Sequence, residues 1–442
     1  MNNPESLALM ERDSKVIAPC QHIHYFPISV ARGDGSILYD VDGNRYIDFL
    51  ASASSLNLGS CHPAVTAAIR EQLSQYSQYC QAYVYVPKAV EYAERLVSVY
   101  PGGVPAKVCY GNCGSDCNDA AVKFARAYTG RSKIICFLNA YHGNTFGAAS
   151  MTTCSLNMHR KMGPFLPEVY HFPFFGAELP DEAVERDCLA EMENAFTYFL
   201  PPDEVAAVII EPVQGDGGMV AAHPIFMKKL YEMCRKHGIL FISEEVQQGM
   251  WRTGKWFSIE HYGIIPDGII LGKSVGAGLP MGVFLARAEI LDCLPAPAHV
   301  FTLSGNALAC AAGIAAFDVY QSEEFQTRLR ENITLAAEKL AWLKERHPDR
   351  ISSIRQIGMS IGVCVCTPEG EPDGDGACLL HHRCYETGLL MITIATNVLR
   401  IQPPLTITPE LLTEGFAILD RAFSALEADR IPRKLLEVKS GW

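Results

Sequence analysis

From about residue 62 the chain alternates short apolar runs with stretches of helical period. The runs at 107–110, 134–138 (IICFL), 206–210, 239–242 (ILFI), 268–271 (GIIL) and 281–286 read as strands. One intervening helix is plain: Pro224 suits a first turn. Phe226, Met227, Leu230, Met233 and Cys234 form one stripe, and basic residues precede Gly238. Strand, helix, strand with short links predicts an α/β fold whose mostly parallel sheet is covered on both faces. Upstream, "ARGDGSILYDVDGNRYIDFLA" alternates strand-like pieces with Asp-Gly turns and predicts a hairpin or meander, while residues 1–20 read as helical or frayed. Downstream come a helical region (305–347), short strands (357–366, 390–394, 399–401) and a last helix from about 408. The chain is thus read as an N-terminal segment 1–60 belonging to a small α+β domain, a large domain 61–304, and the rest of the small domain, 305–442.

Composition narrows the function classes. With 442 residues, 49% hydrophobic and 19% charged, the chain can bury a large core. A net charge of −12 and no basic stripe argue against nucleic-acid binding. No stretch is apolar and long enough to predict a membrane span. The start "MNNPESLALMERDSK" has no basic-then-apolar secretory pattern, so a cytoplasmic protein is expected. The 16 cysteines are scattered, several within apolar runs, and read as reduced and structural. Cys109, Cys113 and Cys117 sit at helical spacing, but no CxxC pair or histidine cluster joins them, so no metal site is expected.

Four stretches carry chemistry. In "GNCGSDCNDA", residues 111–120, a strand ends in glycines and Ser115 opens a helix that closes at Gly130. Free N–H groups at a helix start, with a hydroxyl, make a phosphate cradle, although a plain Ser cap reads equally well. In "AYHGNTFG", Tyr141 lies in a glycine-flanked loop where it can stack on a flat ring or simply pack. In "ILFISEEVQQG", Glu244 and Glu245 stand at a strand's carboxyl end, where α/β sheets bind ligands, or form a solvated pair. In "GIILGKSVGAG", Lys273 follows an apolar strand among glycines, a setting that desolvates an amine for Schiff-base chemistry or lets a lysine snorkel. Cradle, stacking aromatic, carboxylate and lysine together are the parts of a pyridoxal-phosphate site.

Those motifs, with "DVDGNRYIDFLA", "IIEPVQGDGG", "LGKSVGAGLPMG", "FTLSGNAL" and "VLRIQPPL", resemble the class III (subgroup II) aminotransferases of pyridoxal-phosphate (PLP) fold type I, from about residue 28 onward. The resemblance implies a cofactor, pyridoxal 5′-phosphate, bound to Lys273. It implies that Gly114 and Ser115 hold its phosphate, that Tyr141 stacks on its ring, and that Gln247 contacts the ring hydroxyl region. Thr302 would reach the phosphate of a neighbouring copy, so a homodimer or dimer-based tetramer with shared sites is implied. Arg400 would clamp a substrate carboxylate, unless it is a surface strand arginine. Ser52, Ser54, Ser55, Tyr83 and Tyr85 match pocket-lining positions. One residue departs from the pattern: Glu244 stands where the family has the Asp that pairs with the ring nitrogen. Glu245 is expected to point the other way.

The reaction turns on Asp216 in "EPVQGDGG". Transamination needs one base on one face of Cα, whereas inversion gains from a second acid/base opposite it. Many of the aminotransferases carry Glu at this position; the amino-acid racemases and epimerases of the family carry Asp. "LASASSLN", "SLNMHRKMGPFLPEV", "LPAPAH" and the terminal Gly441-Trp442 also resemble the epimerases. The sequence therefore favours racemisation or epimerisation of a free amino acid through Lys273 and Asp216. Transamination is the alternative, with Asp216 then only bracing its loop, and a decarboxylase-like activity or a non-catalytic PLP-binding protein stands further off. Glu211 is expected to brace the loop or the cofactor's surroundings.

Overall fold

The apolar runs between residues 106 and 287 assemble into one seven-stranded sheet. Its strands are β1 (Ala106–Gly111), β2 (Lys133–Phe137), β3 (Val169–Phe172), β4 (Val205–Ile210), β5 (Leu240–Glu244), β6 (Gly268–Leu271) and β7 (Gly282–Arg287), in the order β1-β7-β6-β5-β4-β2-β3. Strands β6, β5, β4, β2 and β3 run parallel, and β7 is antiparallel to both its neighbours. Every residue of β2, β4 and β5 is buried, which is why these strands read as continuous rather than alternating apolar runs. Strand β3 lies at the edge and is mostly half-buried, so neither a continuous run nor a clean alternation marked it in the sequence. The computed structural model describes residues 3–437, so Gly441 and Trp442 lie outside the described residues.

Helix α1 (Gly114–Thr129) packs on one face of the sheet, its Ala120, Ala121 and Phe124 joining Ala207, Ile209, Leu240, Ile242 and Ile270 in one core cluster. Burying each branched or aromatic side chain there contributes about 1.5–3 kcal/mol. Helix α2 (Pro224–His237) buries the stripe expected of it and ends at Gly238, whose φ of 64° is the left-handed cap. The start of α1 differs from the sequence reading. Cys113, not Ser115, occupies the cap position, and Asp116 reaches back to accept the N–H groups of Asn112 (2.8 Å) and Cys113 (3.0 Å). Ser115, inside the first turn, keeps its hydroxyl for another contact. Cys109 lies on β1, Cys113 at the cap and Cys117 within α1, so their spacing does not mark one helical face.

The chain divides into two compact units, Ala64–Tyr320 around this sheet and a second formed by Met1–Pro63 with Gln321–Trp442. In the second, the expected meander forms from Val30–Asp34, Ile37–Asp40 and Arg45–Asp48, and Leu389–Leu390 adds in parallel beside the last. An antiparallel sheet joins Ile351–Ile357, Ser360–Val365, Val398–Ile401 and Ile392–Ile394. The long helical region breaks at Ser322, whose hydroxyl accepts the Phe325 N–H and starts the helix Glu323–Arg346. Ala51, Ser52, Ala53 and Ser54, in the "LASASSLN" stretch, all adopt positive φ (47–64°), one left-handed turn made only of small residues.

Candidate active site

At the carboxyl ends of β4, β5 and β6 the chain gathers its chemically competent groups. Strand β6 ends at Leu271, Gly272 lies against the first residue of α1, and Lys273 follows. A Cβ on Gly272 would stand 3.1 Å from the Gly114 nitrogen, so only glycine lets the lysine's turn approach the helix start this closely. Lys273 is half-buried, and its φ of 48° places a non-glycine residue in the left-handed region, a strain the surrounding turn must hold.

Three acids surround that position. Glu211, one residue beyond β4, is 4% exposed; Glu244, the last of β5, is 3% exposed; Asp216, in the loop after β4, is 9% exposed. Glu211 Oε2 accepts the Tyr141 N–H (3.1 Å) and Oε1 accepts the Gly215 N–H (3.4 Å), so it ties the loop after β2 to the loop that carries Asp216. Burial holds the Glu211 and Glu244 carboxyls above the usual range. The Asp216 charge adds to this for Glu211 and the Glu211 charge for Glu244, while Lys273 opposes both. Tyr141, half-buried, is pushed up to about 12 by burial, with Asp216 and Glu244 acting in the same direction. These mutual effects place Lys273, Glu211, Asp216, Glu244 and Tyr141 in one electrostatic neighbourhood.

Glu244 and Glu245, read alternatively as a solvated pair, are both buried and differ sharply. Glu245 accepts Ser258 N–H (2.8 Å), Ser258 Oγ–H (2.7 Å), Ile259 N–H (2.8 Å) and Ser243 Oγ–H (3.0 Å). Burial still lifts its carboxyl to about 7 against those four donors.

The helix start is tied to the loop that carries Tyr141. The Ser115 hydroxyl accepts the Asn144 N–H (3.2 Å), fastening the Tyr141 loop to α1. Beneath that loop the Thr152 hydroxyl accepts the N–H groups of His142 (2.9 Å) and Gly143 (3.2 Å). His142 is buried with neither ring nitrogen bonded among the described residues, and burial pushes it down to about 3, so the ring stays neutral. Gln247 is 5% exposed, and a Cβ on Gly215 would stand 1.5 Å from its Oε1. The amide therefore packs directly on the Asp216 loop, while its Nε2 finds no partner among the described residues.

Two expected residues remain, Thr302 and Arg400. Thr302 is exposed, and its carbonyl accepts from Gln78 Nε2 (3.1 Å). Arg400 belongs to the other unit, where it is paired in the antiparallel sheet and only 3% exposed, which overturns its reading as a surface arginine. Tyr83 and Tyr85 are 82% and 96% exposed, whereas Ser54 is fully buried. Sequence reasoning missed the Cys113–Asp116 start of α1 and the Thr152 support; the first had a signal, an acid three residues after the cap, masked by the unusual cap residue.

The arrangement fits pyridoxal 5′-phosphate. A sixteen-residue helix presents its start, and an unpartnered buried amide donor stands at Gln247. The buried carboxyl of Glu244 has no bonded cation among the described residues. The model of the family described as "Aminotransferase class-III" matches residues 19–423. The chain is 39% identical to an isoleucine 2-epimerase of Lentilactobacillus buchneri, covering 98% of each chain. It is 35% identical to a leucine/methionine racemase of Thermococcus litoralis, covering 98% of this chain and 99% of that one. An amine transaminase from an uncultivated Pseudomonas species, solved in its PLP-bound form, matches with a TM-score of 0.84 and 27% identity over 93% of this chain and 97% of the other. The fold is PLP fold type I, the cofactor is pyridoxal 5′-phosphate, and the chain belongs to the class III aminotransferase family.

Proposed function

We propose that the protein is an amino-acid racemase or 2-epimerase in which Lys273 and Asp216 act on opposite faces of the substrate Cα. The observation that carries this reading is the buried Glu211, which feels the charges of both Asp216 and Lys273 and fixes the Asp216 loop through Gly215. The likeness to an isoleucine 2-epimerase and a leucine/methionine racemase supports it.

In this reading Lys273 carries the cofactor, Gly114 and Ser115 hold its phosphate, and Tyr141 lies against its ring. Glu244 would pair with the ring nitrogen, and the Gln247 amide would hold the ring hydroxyl region. Bound pyridoxal phosphate withdraws electrons from the substrate amine and so acidifies the Cα–H. Lys273 Nζ, as the neutral amine, takes that proton from one face. The Asp216 carboxyl delivers a proton to the other, and the roles exchange for the opposite enantiomer. Asp216 at 9% exposure keeps its proton away from bulk water during the transfer. Arg400 takes the substrate carboxylate, a task suited to its planar fork. We place the cofactor domain in Ala64–Tyr320 and the rest of the chain in a small domain.

Two copies would share sites through Thr302, and the exposed Tyr79, Tyr83, Tyr85 and Leu303 offer the apolar surface such a dimer would bury. Many of the cysteines are buried among apolar neighbours, in keeping with a cytoplasmic location, and no helix among the described residues is long and apolar enough to cross a membrane.

Incubation with one enantiomer in D₂O, without an oxo acid, tests the proposal. Loss of optical activity with deuterium entering Cα is expected, and Asp216→Asn should slow inversion about a hundredfold while slowing Cα–H exchange far less. Amine transfer that strictly requires an oxo acid, with no loss of optical activity, would establish transamination instead.

A further inference from the structure

Glu211 has no duty in that scheme beyond two backbone contacts, yet it lies beside the carboxyl assigned to the ring nitrogen. Strands β4 and β5 are parallel and in register, with Leu240 opposite Ala207, Ile242 opposite Ile209 and Ser243 opposite Ile210. Glu211 and Glu244 are the residues that directly follow this last pair, one on each chain segment, and each is within electrostatic reach of the other. Paired residues on neighbouring strands point to the same face. The two glutamates therefore continue the rows Ala207–Ile209 and Leu240–Ile242, which pack under α1. They are 4% and 3% exposed.

Like charges directly across a strand pair repel, and the repulsion is large where water is excluded. The donors on hand are three backbone N–H groups: Tyr141 and Gly215 on Glu211, and Val246 on Glu244. The charged neighbours are Asp216 and Lys273 around Glu211, and Lys273 and Glu245 around Glu244, with the Tyr141 phenol close to both Asp216 and Glu244. Lys273 is thus the cation that acts on both Glu211 and Glu244, whereas Glu245 is saturated with donors.

We propose that Glu211 and Glu244 form a carboxyl pair that holds one proton in the cofactor-free protein, making Glu211 a positioning residue for the contact between Glu244 and the cofactor's ring nitrogen. The inference rests on the assignment of Glu244 made above. When a protonated ring nitrogen comes to lie beside Glu244, its positive charge takes over what the shared proton did. The O–H bond of the pair then breaks, the proton leaves to solvent, and Glu244 stands ionised as an acceptor. With glutamine at position 211 the repulsion is gone, Glu244 is already ionised beside Lys273, and no such proton is left to release.

Calorimetric titration of cofactor-free protein with pyridoxal 5′-phosphate, in two buffers of unlike ionisation enthalpy, counts the protons exchanged. Wild type is expected to release about one more proton per site than Glu211→Gln, and Glu211→Asp should restore most of the difference. Reactions at Lys273 and at the phosphate contribute equally to all three and cancel. Infrared difference spectra give a second measure. A protonated-carboxyl C=O band should appear in cofactor-free wild type, vanish on cofactor binding, and be missing from Glu211→Gln; should that variant not fold, the wild-type band decides alone. A Glu211 that merely braced the loops would change cofactor affinity and leave proton count and band untouched, and that result overturns the pair. The lysine-dependent chromophore separates the two claims. If wild type forms it while both proton measures fail, only the pair is wrong; if it never forms, the site assignment fails first.

Discussion

The two ends of the central sheet treat buried acids in opposite ways. At the amino end Asp267, just before β6 and 2% exposed, is met by Arg235 and by Arg287 (3.0 Å), and it also accepts the Phe241 N–H (2.8 Å). At the carboxyl end Glu211 and Glu244 are equally deep but have backbone N–H groups as donors and one half-buried lysine nearby. The first acid closes its charge balance within the protein. The others leave theirs open, as a site must if an incoming cation is to be held. Burial alone therefore does not distinguish structural from functional carboxyls; the completeness of their partners does.

The largest expected effect is at the open end. Lys273→Ala should abolish the lysine-dependent chromophore and cut Cα–H exchange roughly a thousandfold or more, with little change in unfolding midpoint. Asp267→Asn should do the reverse. Arg235 loses its counter-ion and Arg287 keeps only Glu289, so urea unfolding should show a loss of about 2–3 kcal/mol while turnover per folded molecule holds; an unchanged midpoint would erase the contrast between the ends. A smaller effect concerns pH. A carboxyl held above its ordinary range binds more protons folded than unfolded, so its contribution favours folding at low pH and is lost as pH rises through the raised value. Cofactor-free wild type should therefore lose stability as pH climbs from the ordinary glutamate range, and Glu211→Gln should flatten that slope, read from unfolding curves across pH. The smallest is Cys113→Ser, where a hydroxyl replaces a weaker sulfur acceptor at the α1 cap. A gain of about 0.5 kcal/mol is expected in the same assay, with no change in the pH slope.

The contrast was only half legible beforehand. The strands 134–138, 206–210 and 268–271 could be read because burial on both faces makes them apolar throughout, and Pro224 with Gly238 bounded α2 by backbone chemistry alone. Lys273 and Asp216 stood out because each follows such a run within a glycine-rich loop. The neighbours of those residues were not legible. Which strand pairs with which, and in what register, depends on contacts far apart in the chain, so nothing local sets Glu211 beside Glu244 or brings Arg235 and Arg287 to Asp267. The burial of Arg400 was not legible for the same reason: a four-residue strand does not reveal which of its sides another strand will cover.

The register of β4 and β5 has a consequence for redesign. Inserting or deleting one residue within either strand would send its terminal glutamate to the opposite face, under different helices, and dissolve the carboxyl pair in a single step. The segments that follow, residues 212–219 and 246–255, hold Gly215, whose N–H Glu211 accepts, together with Asp216 and Gln247. Anyone retargeting this scaffold to a new amino acid would keep the lengths of the two strands and of those loops and vary side chains alone.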